Sequence, residues 1–582
     1  MKRIILTLWI CALLLIGLGG CETSTPSPPS SPSVMPSIVP TSTPTPSPTA
    51  HATATPTSTP SPTPLPTATL TPTPMTASIE VDAAAPGDPF SPYLLGSNLP
   101  AWLKPETFEN EQFRRRVAAT GITLLRIPGG SWGDEYGWLS CETKKDAPGA
   151  IPCRFTWASR PTDFINFFRG MENLGVHIEP MYIVNVNYTA QEAAALVAFY
   201  NAPLTDTTVI GLDRNGTDWK TAGDWAALRA AGGNERPLGI HWWEIGNEVH
   251  GGKPGVPGCK ANGWEETWTC NGSEYISGTL QHDGFLQLRA AMLAVDPTIQ
   301  VGAVGGSDST MGNRWSEAVL RAGGDQMDYF VIHTYPSYNF YLGNLSKEWA
   351  EILALPQTHW RKLAESASMA HQYYANGRAI PIVINEYELT PPWGQNDLRT
   401  YMNRYVDALF IADSIGQMAT YGVAMAAQWD VMNGPDKYGN EFGLMRADGT
   451  NIRQPKYYAF PLWSRFGATL LPVTSSARPE AELSVYTGRL DDGTLTLLAL
   501  NKTGSEIHTQ ITFNGVARIT GGLLDVVTAP SFDALTATYN GVADPADDLS
   551  DAPAQEVAGV TDNRLEFTFA PLAMTLLRLQ VQ

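Results

Sequence analysis

The run His241-Trp242-Trp243-Glu244-Ile245-Gly246-Asn247-Glu248 is apolar and aromatic for most of its length and closes on a turn residue and a carboxylate. A short run of that kind is a buried strand, and a carboxylate at its C-terminal end stands where a barrel of parallel strands gathers its reactive groups. Seven further runs flank it: Leu94-Leu95-Gly96, Thr123 to Ile127, His177 to Val184, Ile299 to Val304, Tyr329 to His333, Pro381 to Ile384, and Val423 to Gln428. Most are separated by segments of helical period. From Thr162 to Leu174, Phe164, Phe167, Phe168 and Met171 make one apolar face, with Gly175 placed to stop the helix. Thr189-Ala190-Gln191-Glu192 is a capping-box pattern, followed by Ala193, Leu196, Val197 and Tyr200 on one stripe. Eight such alternations predict an α/β fold, a (β/α)8 barrel over residues 89–467.

After Gly467 the pattern changes to strands alone. Ser484 to Leu490, the turn Asp491-Asp492-Gly493 and Thr494 to Leu500 read as a β-hairpin, and Arg564 to Leu579 is again strand-rich. Residues 468–582 are therefore expected to form an all-β sandwich, which a strand within residues 77–88 joins from the far side of the barrel. At the N-terminus, Met1-Lys2-Arg3 precedes an apolar run from Ile4 to Leu18, an export signal over residues 1–20. Leu18-Gly19-Gly20-Cys21 resembles the bacterial lipobox, which makes Cys21 the expected lipid anchor. Of the 55 residues from Glu22 to Thr76, 42 are Pro, Ser or Thr, too polar to offset their ordering entropy, so residues 21–76 read as a disordered tether. The expected location is extracytoplasmic, as a membrane-anchored or cell-surface lipoprotein.

The whole chain carries 38 Lys and Arg against 57 Asp and Glu, a net charge of −19 over 582 residues. That balance disfavours nucleic acid or an anionic lipid surface as partner and suits neutral substrates. Beyond Cys21 the body holds Cys141, Cys153, Cys259 and Cys270, two closely spaced pairs that in an exported chain predict two local disulfides. The alternative, a metal site, lacks a Cys-x-x-Cys and a His at ligand spacing.

Two carboxylates close apolar runs on opposite sides of the expected barrel mouth. Glu248 ends the fourth strand, and Glu386 ends Pro381-Ile382-Val383-Ile384-Asn385-Glu386 on the seventh. Two such groups about 5 to 5.5 Å apart suit retaining glycoside hydrolysis, and a wider gap suits inversion. The bland reading is a structural ion pair for each. Glu244, four residues deeper, fits it and needs a buried partner such as Arg126. Glu388, two residues past Glu386 and on the same face of an extended chain, competes with Glu386.

The surrounding residues resemble a known family. Gly246-Asn247-Glu248 is similar to the acid/base signature of the clan A barrel glycoside hydrolases. Residues 228–240, Leu-Arg-Ala-Ala-Gly-Gly-Asn-Glu-Arg-Pro-Leu-Gly-Ile, leading into Trp243 to Glu248, resemble α-L-arabinofuranosidases of glycoside hydrolase family 51. So do Arg126-Ile127-Pro128-Gly129-Gly130 with Tyr136 and Trp138, and Asn185-Val186-Asn187 leading to Glu192-Ala193 and Phe199-Tyr200-Asn201. Phe90 to Gly96 is similar to the family's first barrel strand, and Phe569-Ala570-Pro571-Leu572 to its closing strand.

The resemblance implies a retaining mechanism with Glu248 as acid/base and Glu386 as nucleophile. It further implies that Asn247 binds the sugar 2-hydroxyl, that Arg126 keeps the nucleophile ionised, and that Tyr335, in His333-Thr334-Tyr335-Pro336, orients it. Asn98, Asn185, His333 and Trp429 complete the substrate-binding candidates. Arg126 also reads as the partner of Glu244, and His333 equally as a satisfied core histidine. Two departures leave the sugar open: Ser97-Asn98 follows Gly96 where the family carries an acidic residue, and Tyr387-Glu388 follows Glu386 where it carries Trp-Asn.

Trp102, Trp132, Trp138, Trp264, Trp268 and Trp429 fall in or near strand-end loops, where they serve either packing or sugar stacking. Asp213 to Asp218 faintly suggests a calcium loop but reads more simply as a turn. The expected chemistry needs no cofactor and no metal. The substrate is a plant-type polysaccharide or oligosaccharide that most readily loses L-arabinofuranose. A β-xylosidase or endo-β-glycanase of a sister family, or a noncatalytic glycan-binding lipoprotein, stays open, as does assembly into oligomers.

Overall fold

Eight parallel strands close on themselves in chain order: Gly96–Asn98, Leu124–Ile127, Glu179–Val184, Trp242–Ile245, Gln300–Val304, Tyr329–Thr334, Ile382–Tyr387 and Met425–Gln428. In this computed structural model the described residues are 74–306, 311–337, 349–390, 400–436, 439–560 and 562–582. The first strand begins at Gly96, later than its apolar signal, because Pro92 opens a short 3-10 turn through Leu94 and the leucines pack into the strand–helix core.

Leu124, Met181, Tyr329, Val331, Val383 and Met425 form a cluster separate from that core and fill the barrel interior. Two residues further along the same strands, and so on the same face, come Arg126, His333 and Asn385, with Glu244 two beyond Trp242. An apolar plug thus gives way to a charged layer toward the C-terminal end. The seventh strand carries one extra residue against both neighbours. Val383 faces Val331 and Glu386 faces His333, while Ile384 faces Ala426 and Tyr387 faces Gln428. This bulge lets Asn385 and Glu386, adjacent in sequence, both reach side chains of the interior.

The helix predicted from Thr162 spans Pro161–Asn173, with the left-handed Gly175 (φ 77°) just beyond it. Thr189 caps Ala190–Asn201 by accepting from the Glu192 amide. The Glu192 carboxylate does not close the expected box but turns to the amide of Ile151 at 3.1 Å.

The second body is a sandwich. Met75–Asp82 pairs in parallel with Ile507–Asn514 and antiparallel with Val473–Ser475, and Arg564–Phe569 closes that sheet. The facing sheet is built around Leu483–Arg489, Leu495–Asn501, Met574–Val581 and Ile519–Thr528. Ile507–Asn514 alternates buried and outward residues along its length, so Ile79, Val81, Ile511 and Phe513 meet Leu497, Leu577 and Leu579 across the gap. Both predicted disulfides are present, Cys141–Cys153 and Cys259–Cys270. Asp213 accepts from the amides of Asn215 and Thr217, the Trp219 indole and Thr189. Its oxygens are spent on a turn, as the simpler reading held.

Candidate active site

Arg126 is wholly buried and joins five side-chain contacts at the centre of the charged layer. Its Nε and Nη2 reach the two oxygens of Glu244 at 2.9 and 3.4 Å, Nη1 reaches Glu386 and Asn98 at 3.1 Å each, and Nη2 donates to Asn247 at 2.7 Å. The two readings of Arg126 therefore coexist: one guanidinium fork serves the deep carboxylate and the upper one together.

Glu386 is 5% exposed. Tyr335 donates to its Oε1 at 2.8 Å while Arg126 holds Oε2, so both oxygens are fixed. Glu248, from the far side of the mouth, has its side chain 17% exposed. Its Oε1 lies 3.1 Å from His333 Nδ1, and its Oε2 accepts from the Trp264 indole at 2.8 Å. The backbone reaches this position through Gly246 (φ 81°) and then Glu248 itself in the left-handed region (φ 37°), a conformation disfavoured for a residue with a Cβ and common where function requires it.

His333 stands between the carboxylates, 3.1 Å from Glu248 and 3.6 Å from Glu386 through Nδ1. Its tautomer follows from its other neighbour. Asn385 must use its amide nitrogen on Glu244 at 2.6 Å, so its oxygen faces His333 Nε2 at 3.0 Å and that nitrogen carries hydrogen. Nδ1, facing Glu248, is the nitrogen that gains and loses a proton.

The electrostatics run opposite to the sequence expectation. Burial raises the Glu248 carboxyl, but the hydrogen bond and charge of His333, with His250 and the Trp264 N–H, outweigh it and hold it at about 2. Burial raises Glu386 too, and with the charge of Glu248 it prevails over His333, Arg126 and Tyr335. Burial lowers His333, yet Glu386 and Glu248 together raise it above its ordinary value. Arg126 was expected to keep Glu386 ionised. The imidazolium, nearer to Glu248, instead draws ionisation there and keeps the proton one hydrogen bond away.

Glu388 takes a different environment. It is fully buried, its Oε2 held by Lys456 at 2.9 Å and Gln428 at 2.7 Å. Asn98 donates its Nδ2 to the carbonyls of Asn385 and Gln428 and accepts from Arg126 through Oδ1, and so braces the layer. Asn185 accepts from Asn187 through its oxygen, while its buried Nδ2 has no protein partner among the described residues. Trp429 packs its ring on Trp102, centroids 5.8 Å apart.

Three residues went unread in the sequence. Asp134 accepts from the amides of Val186 and Asn247, with burial pushing its carboxyl up to about 8. Glu265 accepts from Ser131 and from the Asn247 amide at 3.0 Å, and burial with Asp134 and Glu248 raises it well above the usual range. Asn385 fixes His333. The signal for Glu265 was present: a Cys pair closing a loop directly after a strand-end carboxylate.

One oxygen of each of Glu248 and Glu386 and a ring nitrogen of His333 lie within 4.8 Å of one another, close enough to hold a metal ion. The guanidinium 3.1 Å from Glu386 opposes that use. A facing carboxylate pair at the C-terminal mouth of a (β/α)8 barrel is an arrangement that suits glycoside hydrolysis.

No family model matches the chain. Among curated proteins it is 24% identical over 431 residues to intracellular exo-α-(1→5)-L-arabinofuranosidase 1 of Bacillus subtilis, covering 68% of this chain and 75% of that protein. It is 27% identical over 226 residues to the intracellular exo-α-(1→5)-L-arabinofuranosidase of Streptomyces lividans, covering 38% and 28%. Among solved structures, the family 51 arabinofuranosidase of Xanthomonas axonopodis pv. citri superposes with a TM-score of 0.62 at 17% identity, over 87% of this chain and all of that one. The chain is a glycosidase that resembles the family 51 arabinofuranosidases of glycoside hydrolase clan A.

These relatives overturn one expectation. The apolar N-terminus and Cys21 predict an extracytoplasmic, lipid-anchored protein, whereas both curated relatives are named intracellular, which points to the cytoplasm. Cys21 lies outside the described residues, and among those described no helix is long and apolar enough to cross a membrane.

Proposed function

We propose that this chain is a retaining α-L-arabinofuranosidase acting on arabinose-bearing oligosaccharide or polysaccharide. The observation that carries the reading is the approach of Glu248 and Glu386 from opposite sides of the mouth, with one oxygen of each within 4.8 Å of the other, which favours the close carboxylate pair of a retaining enzyme over the wider pair of an inverting one. Glu386 attacks the anomeric carbon and forms an ester as the glycosidic C–O bond breaks. Glu248 gives the leaving oxygen its proton, then takes one from the water that hydrolyses the ester. The proton count agrees with the geometry. His333 Nδ1–H beside ionised Glu248 and neutral His333 beside protonated Glu248 differ only by transfer along one 3.1 Å hydrogen bond.

Asn247, with its oxygen on Arg126 and one amide hydrogen on Glu265, keeps its second hydrogen for the sugar 2-hydroxyl. Asn185 Nδ2 is a second donor for a sugar hydroxyl. The names of the curated relatives support arabinofuranose as the sugar.

The test is turnover of 4-nitrophenyl α-L-arabinofuranoside, β-D-xyloside and β-D-glucoside by the full chain and two variants. Glu386→Gln should cut arabinofuranoside turnover at least about 10³-fold. Glu388→Gln, whose side chain is bonded to Lys456 and Gln428 and not to Glu386, should keep turnover and lower thermal stability. Release of sugar with inverted anomeric configuration would refute the mechanism, and activity on xyloside alone would refute the sugar.

A further inference from the structure

Trp264 belongs to the segment between Cys259 and Cys270, which the disulfide closes into a loop directly following Glu248. Its Nε1 donates to Glu248, yet the residue keeps 39% of its surface exposed. The ring is seated on bare backbone: a Cβ added to Gly251 would lie 2.5 Å from the indole. The loop is fastened on several sides. The Glu265 amide bonds to the Gly252 carbonyl at 2.8 Å, the Glu265 carboxyl takes Ser131 and Asn247, and Glu266 pairs with Lys253. One edge of the indole is thereby tied to a carboxylate and part of the ring is covered, while 39% of the residue's surface stays open to solvent.

The acid of a retaining glycosidase delivers its proton to the leaving oxygen, so whatever is fixed to that acid borders the departing part of the substrate. Building on the reading of Glu248 as acid/base, we infer that Trp264 is the platform for the leaving-group sugar. A neutral sugar ring stacks its C–H face on the exposed indole, next to the bond that breaks. A platform held by a disulfide and an ion pair loses little freedom on binding, so the contact is expressed in affinity for longer substrates.

The experiment compares α-L-arabinofuranosyl fluoride, whose leaving group has no ring and needs little protonation, with an α-1,5-linked arabino-oligosaccharide. Both are assayed with the full chain, Trp264→Ala and Trp264→Phe, each at its own pH optimum. Trp264→Ala should lose about tenfold or more in kcat/KM on the oligosaccharide, mainly through KM, and less than about threefold on the fluoride. Trp264→Phe keeps a ring but not the N–H. It should hold the oligosaccharide KM and move the basic limb of the pH profile upward, because the ionised form of Glu248 has lost a donor. An equal loss on both substrates, or an unchanged oligosaccharide KM in Trp264→Ala, would overturn the platform while leaving the acid/base reading standing. A wild-type chain silent on both arabinosides would remove the acid/base reading, and the platform with it.

Discussion

His333 turns a pair of carboxylates into a three-group proton system, with Glu244 4.0 Å from its other nitrogen and Arg126 bonded to Glu244 and Glu386. Turnover needs Glu386 ionised and one proton held by Glu248 and His333 together. Glu386 sits above its ordinary 4.5, so kcat/KM should fall as pH drops through a value higher than that. His333 sits above 6.5, so activity should fall again as pH rises past it and the shared proton leaves. His333→Asn removes the charge that lowers Glu386, and the acid limb should move to higher pH. An acid limb unchanged in that variant would rule out proton sharing. The sequence left His333 undecided between core and site because its companion, Asn385, depends on a bulge that no local pattern announces.

At the scale of elements, the barrel was legible because its strands are short apolar runs and most of the segments between them have helical period. Glu248 and Glu386 were legible because they close such runs. The hidden part lies where the regular period breaks. Spacing of two placed Glu388 beside Glu386, but the strand ends at Tyr387 and Glu388 joins Lys456 beside Asp407. Gly246 marks another break. Its φ of 81° suits glycine, and an added Cβ would meet Val249 Cγ2 at 2.5 Å. Gly246→Ala should cost more than about 1 kcal/mol and, by shifting Glu248, lower kcat at least tenfold, roughly the effect of losing geometry by an ångström. Stability measured by denaturant and kcat measured on the same preparation separate the two effects; a kcat loss without any stability loss would contradict the strain argument.

Across the whole molecule, one of the ties between barrel and sandwich is a buried lysine. Lys502, just past the strand Leu495–Asn501, sends Nζ to Asp413 Oδ2 at 2.6 Å and to the carbonyls of Leu353 and Pro479 at 2.9 and 2.6 Å. Asp413, on the barrel helix Tyr405–Thr420, also accepts from Tyr486 of the sandwich. Neither charge of the pair reaches solvent. Removing one partner strands the other, so Lys502→Met should cost about 3–5 kcal/mol in denaturant unfolding. Adding Asp413→Asn removes the stranded charge and keeps an amide that can still meet Tyr486 and Gln357, both of which donate to Asp413, so the double variant should recover more than half of that loss. If instead it is no more stable than Lys502→Met, the cost lies in the shape of the lysine stem and not in its charge. In that case the seating of the barrel rests on the apolar core that runs on through Tyr486, Leu498, Leu500, Met574 and Leu576.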